Sequence, residues 1–400
     1  MTAIPRYRAH RGLALFSTGF RPFFLLSAFW AAVAIPLWLA FLTGAIPAPT
    51  ALPPLYWHVH EMVFGYAAAT VTGFLLTAIP NWTGRMPLQG PPLMALAALW
   101  LAGRLAVMAS GSIGAPVAAL VDLLFPFAFA CVIAREIVAG RNWRNLPMVA
   151  ALALLFAGDL LVHLDALGIA ATAELGNRLG LATLLLLITL VGGRVIPSFT
   201  HNWLAKNRPG IVPAAFGAID RVALAATAAA LALWVAVPDT ALAAWAALAA
   251  GLALALRLAR WQGYRTAAEP LVLILHLGYG WLALGFVLLG LNHFLPMLPQ
   301  TAALHALTVG AIGTMTLAVM TRASLGHTGR PLVAGLGTTT IYALITAAAL
   351  LRLAAPLGGS AELPLLWLAG AAWSGAFGLF FVLYFPALAA PRITGAARAI

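Results

Sequence analysis

Two histidines and a glutamate fall within four residues in Trp57-His58-Val59-His60-Glu61-Met62. Neutral imidazole is the commonest metal ligand among side chains, and a carboxylate beside it can fix the orientation of the ring. The chemistry on offer is ligation of a metal ion or a haem iron. The plain alternative is that the three residues only anchor a helix end at a membrane interface. They open a 17-residue apolar run, Val63 to Ile79, closed by Pro80-Asn81-Trp82-Thr83-Gly84-Arg85. With the residues at its mouth, that run crosses about 30 Å of hydrocarbon as a helix. Ionisable groups at such a place are costly, so a functional role is the default hypothesis.

The elements that must position these residues follow from composition. Of 400 residues, 63% are apolar and 8% charged, against about 25% charged in an ordinary soluble domain. The expected fold is an all-α integral membrane protein, one polytopic domain over 1–400. A short basic segment, 1–22, precedes about twelve transmembrane helices between 23 and 390. The first six apolar segments are 23–42, 61–79, 93–108, 116–137, 146–167 and 176–196. The second six are 221–237, 241–258, 270–290, 300–319, 333–353 and 364–390. Proline and glycine pairs such as Pro53-Pro54, Pro91-Pro92 and Gly358-Gly359 fall between them. The Ala-Leu-rich seventh and eighth segments read as scaffold facing lipid.

The formal charge of +12 comes from 21 arginines and one lysine against ten acids. The cations are spread over alternate short loops rather than gathered in one patch, so nucleic acid is not the expected partner. One set of loops carries Arg6, Arg8, Arg11 and Arg21; Arg85; Arg135, Arg141 and Arg144; Arg194, Lys206 and Arg208; Arg257, Arg260 and Arg265; Arg322 and Arg330; Arg392 and Arg398. By the positive-inside rule both termini are cytoplasmic. The first apolar segment reads as a retained helix rather than a signal peptide. The lone cysteine, Cys131, reads as a small core residue. No Cys-x-x-Cys-His is present for covalent haem attachment, so a haem here is b-type.

This topology sorts the histidines by depth. His58 and His60 lie at the outer mouth of the second helix, and His163 near the outer end of the fifth. His293 follows the ninth, and His305 sits one to two turns inside the outer end of the tenth. His276 is the exception, roughly 9 Å above the inner end of the ninth helix at ~1.5 Å per residue. Ligands drawn from several helices are what a metal or haem site within a bundle requires. His60, beside Glu61, and His305 are the expected haem ligands. His58, His163 and His293 remain for copper or as alternative ligands, with His276 as a rival. Three more ionisable groups are buried: Arg104, Asp122 and Asp159. Asp159 precedes His163 by four residues and shares its helix face. It either accepts the second ring N–H of His163 or neutralises Arg104; both readings stand.

In the tenth helix, His305 is followed by Thr308, Gly310, Gly313, Thr314 and Thr316. Such small residues admit another helix, or a flat macrocycle, close to the backbone. The inner loops around Arg194 and Arg322 are basic and rich in hydroxyls. They suit haem propionates or lipid phosphates, or simply obey the orientation rule.

Several stretches together resemble the NnrS family of membrane proteins. They are Gly19-Phe20-Arg21-Pro22-Phe23-Phe24, the run from Trp57 to Gly65, Pro80 to Gly84, Gly192 to Thr200, and the run from His305 to Pro331. The resemblance implies a haem- and copper-containing protein of the bacterial cytoplasmic membrane, linked to nitric oxide metabolism, denitrification and nitrosative stress. If it turns over, it is a haem/copper oxidoreductase acting on nitric oxide or a related small molecule, with electrons from quinol or a separate donor protein. Two other classes stay open: a twelve-helix secondary transporter, many of which carry internal repeats, and a sensor or metal-delivery protein without turnover. A Soret band in the purified protein separates a haem protein from a transporter. Topology is testable directly: a reporter fused after Ile400 is expected to be active only when its activity requires the cytoplasm. Periplasmic activity there would show an odd number of spans.

Overall fold

In a computed structural model, residues 12–393 are described; Arg6, Arg8, His10, Arg11 and Arg398 lie outside them. Among the described residues there is no strand, and twelve helices are long and apolar enough to cross a membrane. They are α1 (Phe20–Leu42), α2 (Pro54–Thr83), α3 (Pro91–Met108), α4 (Ala115–Ala139), α5 (Trp143–Ala166) and α6 (Ala173–Asn207). Then follow α7 (Ala218–Ala236), α8 (Ala241–Ala259), α9 (Pro270–Phe294), α10 (Gln300–His327), α11 (Leu336–Leu357) and α12 (Gly359–Ala389). The chain is a multi-pass membrane protein, and the sequence reading of twelve spans holds.

The boundaries differ in informative places. The second span does not open at Glu61 but at Pro54, which takes the first helical position after Pro53, where a missing N–H costs nothing. His58 and His60 are therefore inside the helix, His60 roughly 9 Å along it. Pro197 does not end α6, which runs on to Asn207. The tenth helix continues to His327 and stops only at Gly329, whose φ of 80 is left-handed. Arg194 and Arg322 thus sit on helices rather than in loops. Cys131 is exposed on α4, not in a core; only 33% of that span's most apolar stretch is buried.

The chain divides into two compact units. The first holds 1–180, 324–330 and 381–400; the second holds 181–323 and 331–380. In the first, α1 and α2 pack through small residues. Gly73 leaves room for Phe23 and Phe24, where a Cβ would come within 2.8 Å of the Phe24 ring. Ser27 hydrogen-bonds Thr70 at 2.5 Å and donates to the Tyr66 carbonyl at 3.0 Å. α5 meets the start of α6 backbone to backbone: a Cβ on Gly158 would lie 2.8 Å from the Gly176 carbonyl. In the second unit, Gly310 and Gly313 of α10 are covered by the indoles of Trp281 and Trp373. The strip of small residues beside His305 is thus occupied by helix packing.

Helices α2 and α10 share a device that the linear reading passed over. His60 ends an α-helical stretch and a π-helical one follows, Glu61–Ala67. His305 does the same before Ala306–Gly313. Gly65 and Gly310 stand at the fifth position after each histidine. Both helices close on Thr-Gly-Arg, Thr83 to Arg85 and Thr328 to Arg330, with left-handed glycines at φ 72 and 80. Every pair is related by one constant offset, so the two stretches are an internal repeat. Single π-helical turns inside α-helices are rare and frequent at functional sites.

The α5–α6 contact generates a test. Gly158→Val must push α5 off Gly176, and α5 carries Asp159 and His163. The expected result is a lower folded yield and a lower melting temperature by fluorescence. A wild-type melt would show that this crossing does not hold α5.

Candidate metal centre in the first unit

The first unit buries six ionisable side chains around one point. His60 and Glu61 come from the start of the π-helical turn of α2, Arg104 from α3, Asp122 from α4, and Asp159 and His163 from α5. None is more than 4% exposed. The Gly65 carbonyl, inside the π turn, accepts the Trp100 indole N–H at 3.0 Å. Two glycines make the space. A Cβ on Gly65 would stand 2.8 Å from both Arg104 Nη1 and Glu61 Oε2, and one on Gly103 would reach Asp122 Oδ1 at 2.5 Å.

The contacts are specific. Glu61 Oε2 accepts from Arg104 Nη1 at 2.7 Å and from the Trp30 indole at 2.6 Å. Arg104 Nη2 pairs with Asp122 Oδ1. His60 Nδ1 lies 3.2 Å from Glu61 Oε1, while His60 Nε2 lies 2.9 Å from Asp159 Oδ1 and 3.0 Å from Asp122 Oδ2. His163 Nε2 is 3.0 Å from Asp122 Oδ2 and 3.7 Å from Asp159 Oδ1. The two imidazoles stand edge to face, centroids 5.3 Å apart. Both readings of Asp159 are corrected: Arg104 is held by Glu61 and Asp122, and His163 bonds Asp122, while Asp159 is 3.7 Å from His163 and hydrogen-bonds His60 instead.

Charge decides what this arrangement can do. Three carboxylates face one guanidinium, an excess of two negative charges when both imidazoles are neutral. An uncompensated buried charge is expensive. A neutral His60 that donates Nδ1–H to Glu61 would aim its Nε2 lone pair at two carboxylate oxygens. Two protons on the imidazoles relieve this, and so does one divalent cation. Donor atoms from His60, Asp122, Asp159 and His163 all lie within 4.8 Å of one another. Imidazole with carboxylate is a donor set for divalent transition ions such as copper, iron or zinc.

The other candidate residues are not members of this cluster. His58 stacks on Trp38, centroids 4.1 Å apart. In the second unit, His293 is exposed. His305 Nδ1 lies 2.6 Å from the Thr301 carbonyl of its own helix. That bond places the proton on Nδ1 and the lone pair on Nε2, the tautomer used by ligating histidines. His276, 6% exposed, bonds Thr200 Oγ1 at 2.8 Å through Nε2. Arg194 is exposed, and Arg322 lies 4.0 Å over the Phe199 ring. The second unit also holds a buried ion pair that sequence reading missed by treating α7 and α8 as bland. Asp220 binds Arg257 at 2.9 Å and Arg260 at 3.0 Å, and Arg257 donates to the Tyr279 hydroxyl at 2.9 Å. The available signal was an acid at the third residue of one span and an arginine near the end of the next.

Removing one partner of a buried pair costs roughly 3–5 kcal/mol, because the other charge is stranded. Arg104→Leu is therefore expected to lower melting temperature and folded yield sharply, and Arg104→Leu with Glu61→Gln to recover part of both. A single variant as stable as wild type would show that the cluster's charge is balanced without Arg104.

No curated protein matches the chain. The model of one family, described as NnrS protein, matches residues 14–392. The match covers nearly every described residue, including all six members of the buried cluster, and the chain belongs to the NnrS family.

Proposed function

We propose that this is a metal- and haem-binding protein of the bacterial cytoplasmic membrane that acts in nitric oxide metabolism. The observation that carries the reading is the cluster of His60, Asp122, Asp159 and His163, whose donor atoms converge and whose surplus negative charge a divalent ion would balance. The family supplies the link to nitric oxide and to copper and haem. Bound copper and haem iron would supply nitric oxide binding and one-electron exchange.

The residues divide the labour. His60 and His163 would present nitrogen and Asp122 and Asp159 oxygen to the ion. Glu61 orients His60 through Nδ1, and Arg104 ties Glu61 to Asp122. Trp30 and Trp100, 7% and 1% exposed, shield the cluster from water. Both nitrogens of His60 face carboxylates, so we assign the bare ion to this site. His305, whose Nδ1 is tied to its own helix, is kept as the candidate haem ligand through Nε2, while the strip at Gly310 and Gly313 is filled by Trp281 and Trp373 and gives a macrocycle no room. Quinol or a partner protein would donate electrons. A protonated, metal-free ion network in a transporter or sensor is the second reading, favoured by the same short imidazole–carboxylate distances.

Metal analysis and visible spectra of protein purified from copper- and haem-replete cells test this. Wild type is expected to carry copper and a Soret band that shifts with nitric oxide. His163→Ala should weaken copper retention at least tenfold with the Soret band intact, and His305→Ala should do the reverse. Wild-type protein free of both copper and haem rejects the proposal in favour of the ion network.

A further inference from the structure

A cavity of about 320 Å³ opens in the first unit where several span ends meet. It lies at the start of α1, the end of α2 and the approach to α3, beside His327 of α10 and the residues after α12. These ends share the side that bears the arginine-rich loops. Its cations are Arg21 and Arg392, with His327 beside them, and no carboxylate lines it among the described residues. Arg330 stands close enough for its guanidinium to repel that of Arg21.

Three features of the wall ask for an anion. First, α1 starts here with no side-chain cap and no acid in its first turn, and an arginine occupies the position where an acid is favoured. Second, Arg21 is 3% exposed and only partly satisfied. Its Nη1 donates to the carbonyls of Leu388 and Ala390 at 2.8 and 2.5 Å, while its Nε is buried without a partner. Third, the Thr18 hydroxyl lines the same cavity, also buried without a partner. Buried donors are nearly always satisfied, so unpaired ones beside a cavity mark a missing acceptor. The first turn itself offers little, since the Arg21 N–H is taken by the Thr18 carbonyl and Pro22 has none, so the unpaired guanidinium nitrogen and the hydroxyl make the anion site. Phe20, Leu76 and Pro80 give it an apolar wall.

We propose that this cavity binds a phosphate group, either the headgroup of an anionic phospholipid in the adjoining leaflet or free phosphate. Arg21 and Thr18 would hold its oxygens, and Arg392 would close over the exposed side.

The test uses the full-length protein in detergent, following unfolding by tryptophan fluorescence. Two probes are added separately: a short-chain phosphatidylglycerol, with a short-chain neutral diglyceride as control, and inorganic phosphate. A rise in melting temperature with phosphatidylglycerol alone identifies the lipid headgroup; a rise with inorganic phosphate identifies the free ion. Thr18→Val and Arg392→Gln leave the Arg21 contacts to the end of α12 intact, and each is expected to weaken the effective probe about tenfold. The proposal is overturned if neither probe stabilises wild type, if the neutral diglyceride does so equally, or if both variants respond like wild type. Metal and haem content is measured in the same samples; its loss bears on the metal centre, not on this cavity.

Discussion

Three carboxylates buried against one guanidinium set the terms for the first unit. Taking Glu61, Asp122 and Asp159 out of water is tolerable only if every oxygen finds a positive partner. Local structure around them answers that demand. The Gly65 carbonyl in the π-helical turn of α2 accepts from Trp100, and Gly65 and Gly103 give up side chains so that Arg104 and Asp122 can enter. The Trp30 indole contributes a donor to Glu61. The remaining demand falls on His60 and His163, and whatever lies between them and the aspartates.

The ion pair in the second unit shows why burial alone does not mark a functional site. Asp220 is also inside, but two arginines, the Gly217 N–H and the geometry of a helix start satisfy it completely. Arg257 is further held by the Thr189 carbonyl and the Tyr279 hydroxyl and lies 5.3 Å over Trp261. No negative charge is left over, so the network needs nothing from outside. The difference between the units lies in charge balance: the first cluster, with neutral imidazoles, is left with surplus negative charge that protons or a cation would have to meet.

Much of this was legible in the chain. Apolar runs and proline punctuation gave the twelve spans, because helix length in lipid is fixed by bilayer thickness. His60, Glu61, Arg104, Asp122, Asp159 and His163 all stood out as ionisable groups in apolar surroundings. Their grouping did not, since it depends on how α2, α3, α4 and α5 cross, and spacing along a helix says nothing about that. The partner of Arg104 stayed open for this reason: Asp159 was the candidate at mid-depth, and only the crossing of α3 on α4 at Gly103 selects Asp122. The ends of α6 and α10 were misjudged because the apolar runs fade at Ile196 and Val319, ahead of Pro197 and Thr321-Arg322, yet a proline can sit within a helix and only a left-handed glycine ends α10.

The repeat in α2 and α10 carries the argument one step further. A π turn forfeits regular hydrogen bonds, so its presence after both His60 and His305 is a cost borne twice by the same device. What surrounds the device differs. Glu61 follows His60, whereas Ala306 follows His305, and Gly310 meets an indole where Gly65 meets a guanidinium. One copy sets its imidazole among carboxylates, which suits a bare cation. The other ties Nδ1 to the Thr301 carbonyl and lacks the adjoining acid. The same backbone turn thus carries two imidazoles in different surroundings, and the residue after each histidine is part of that difference.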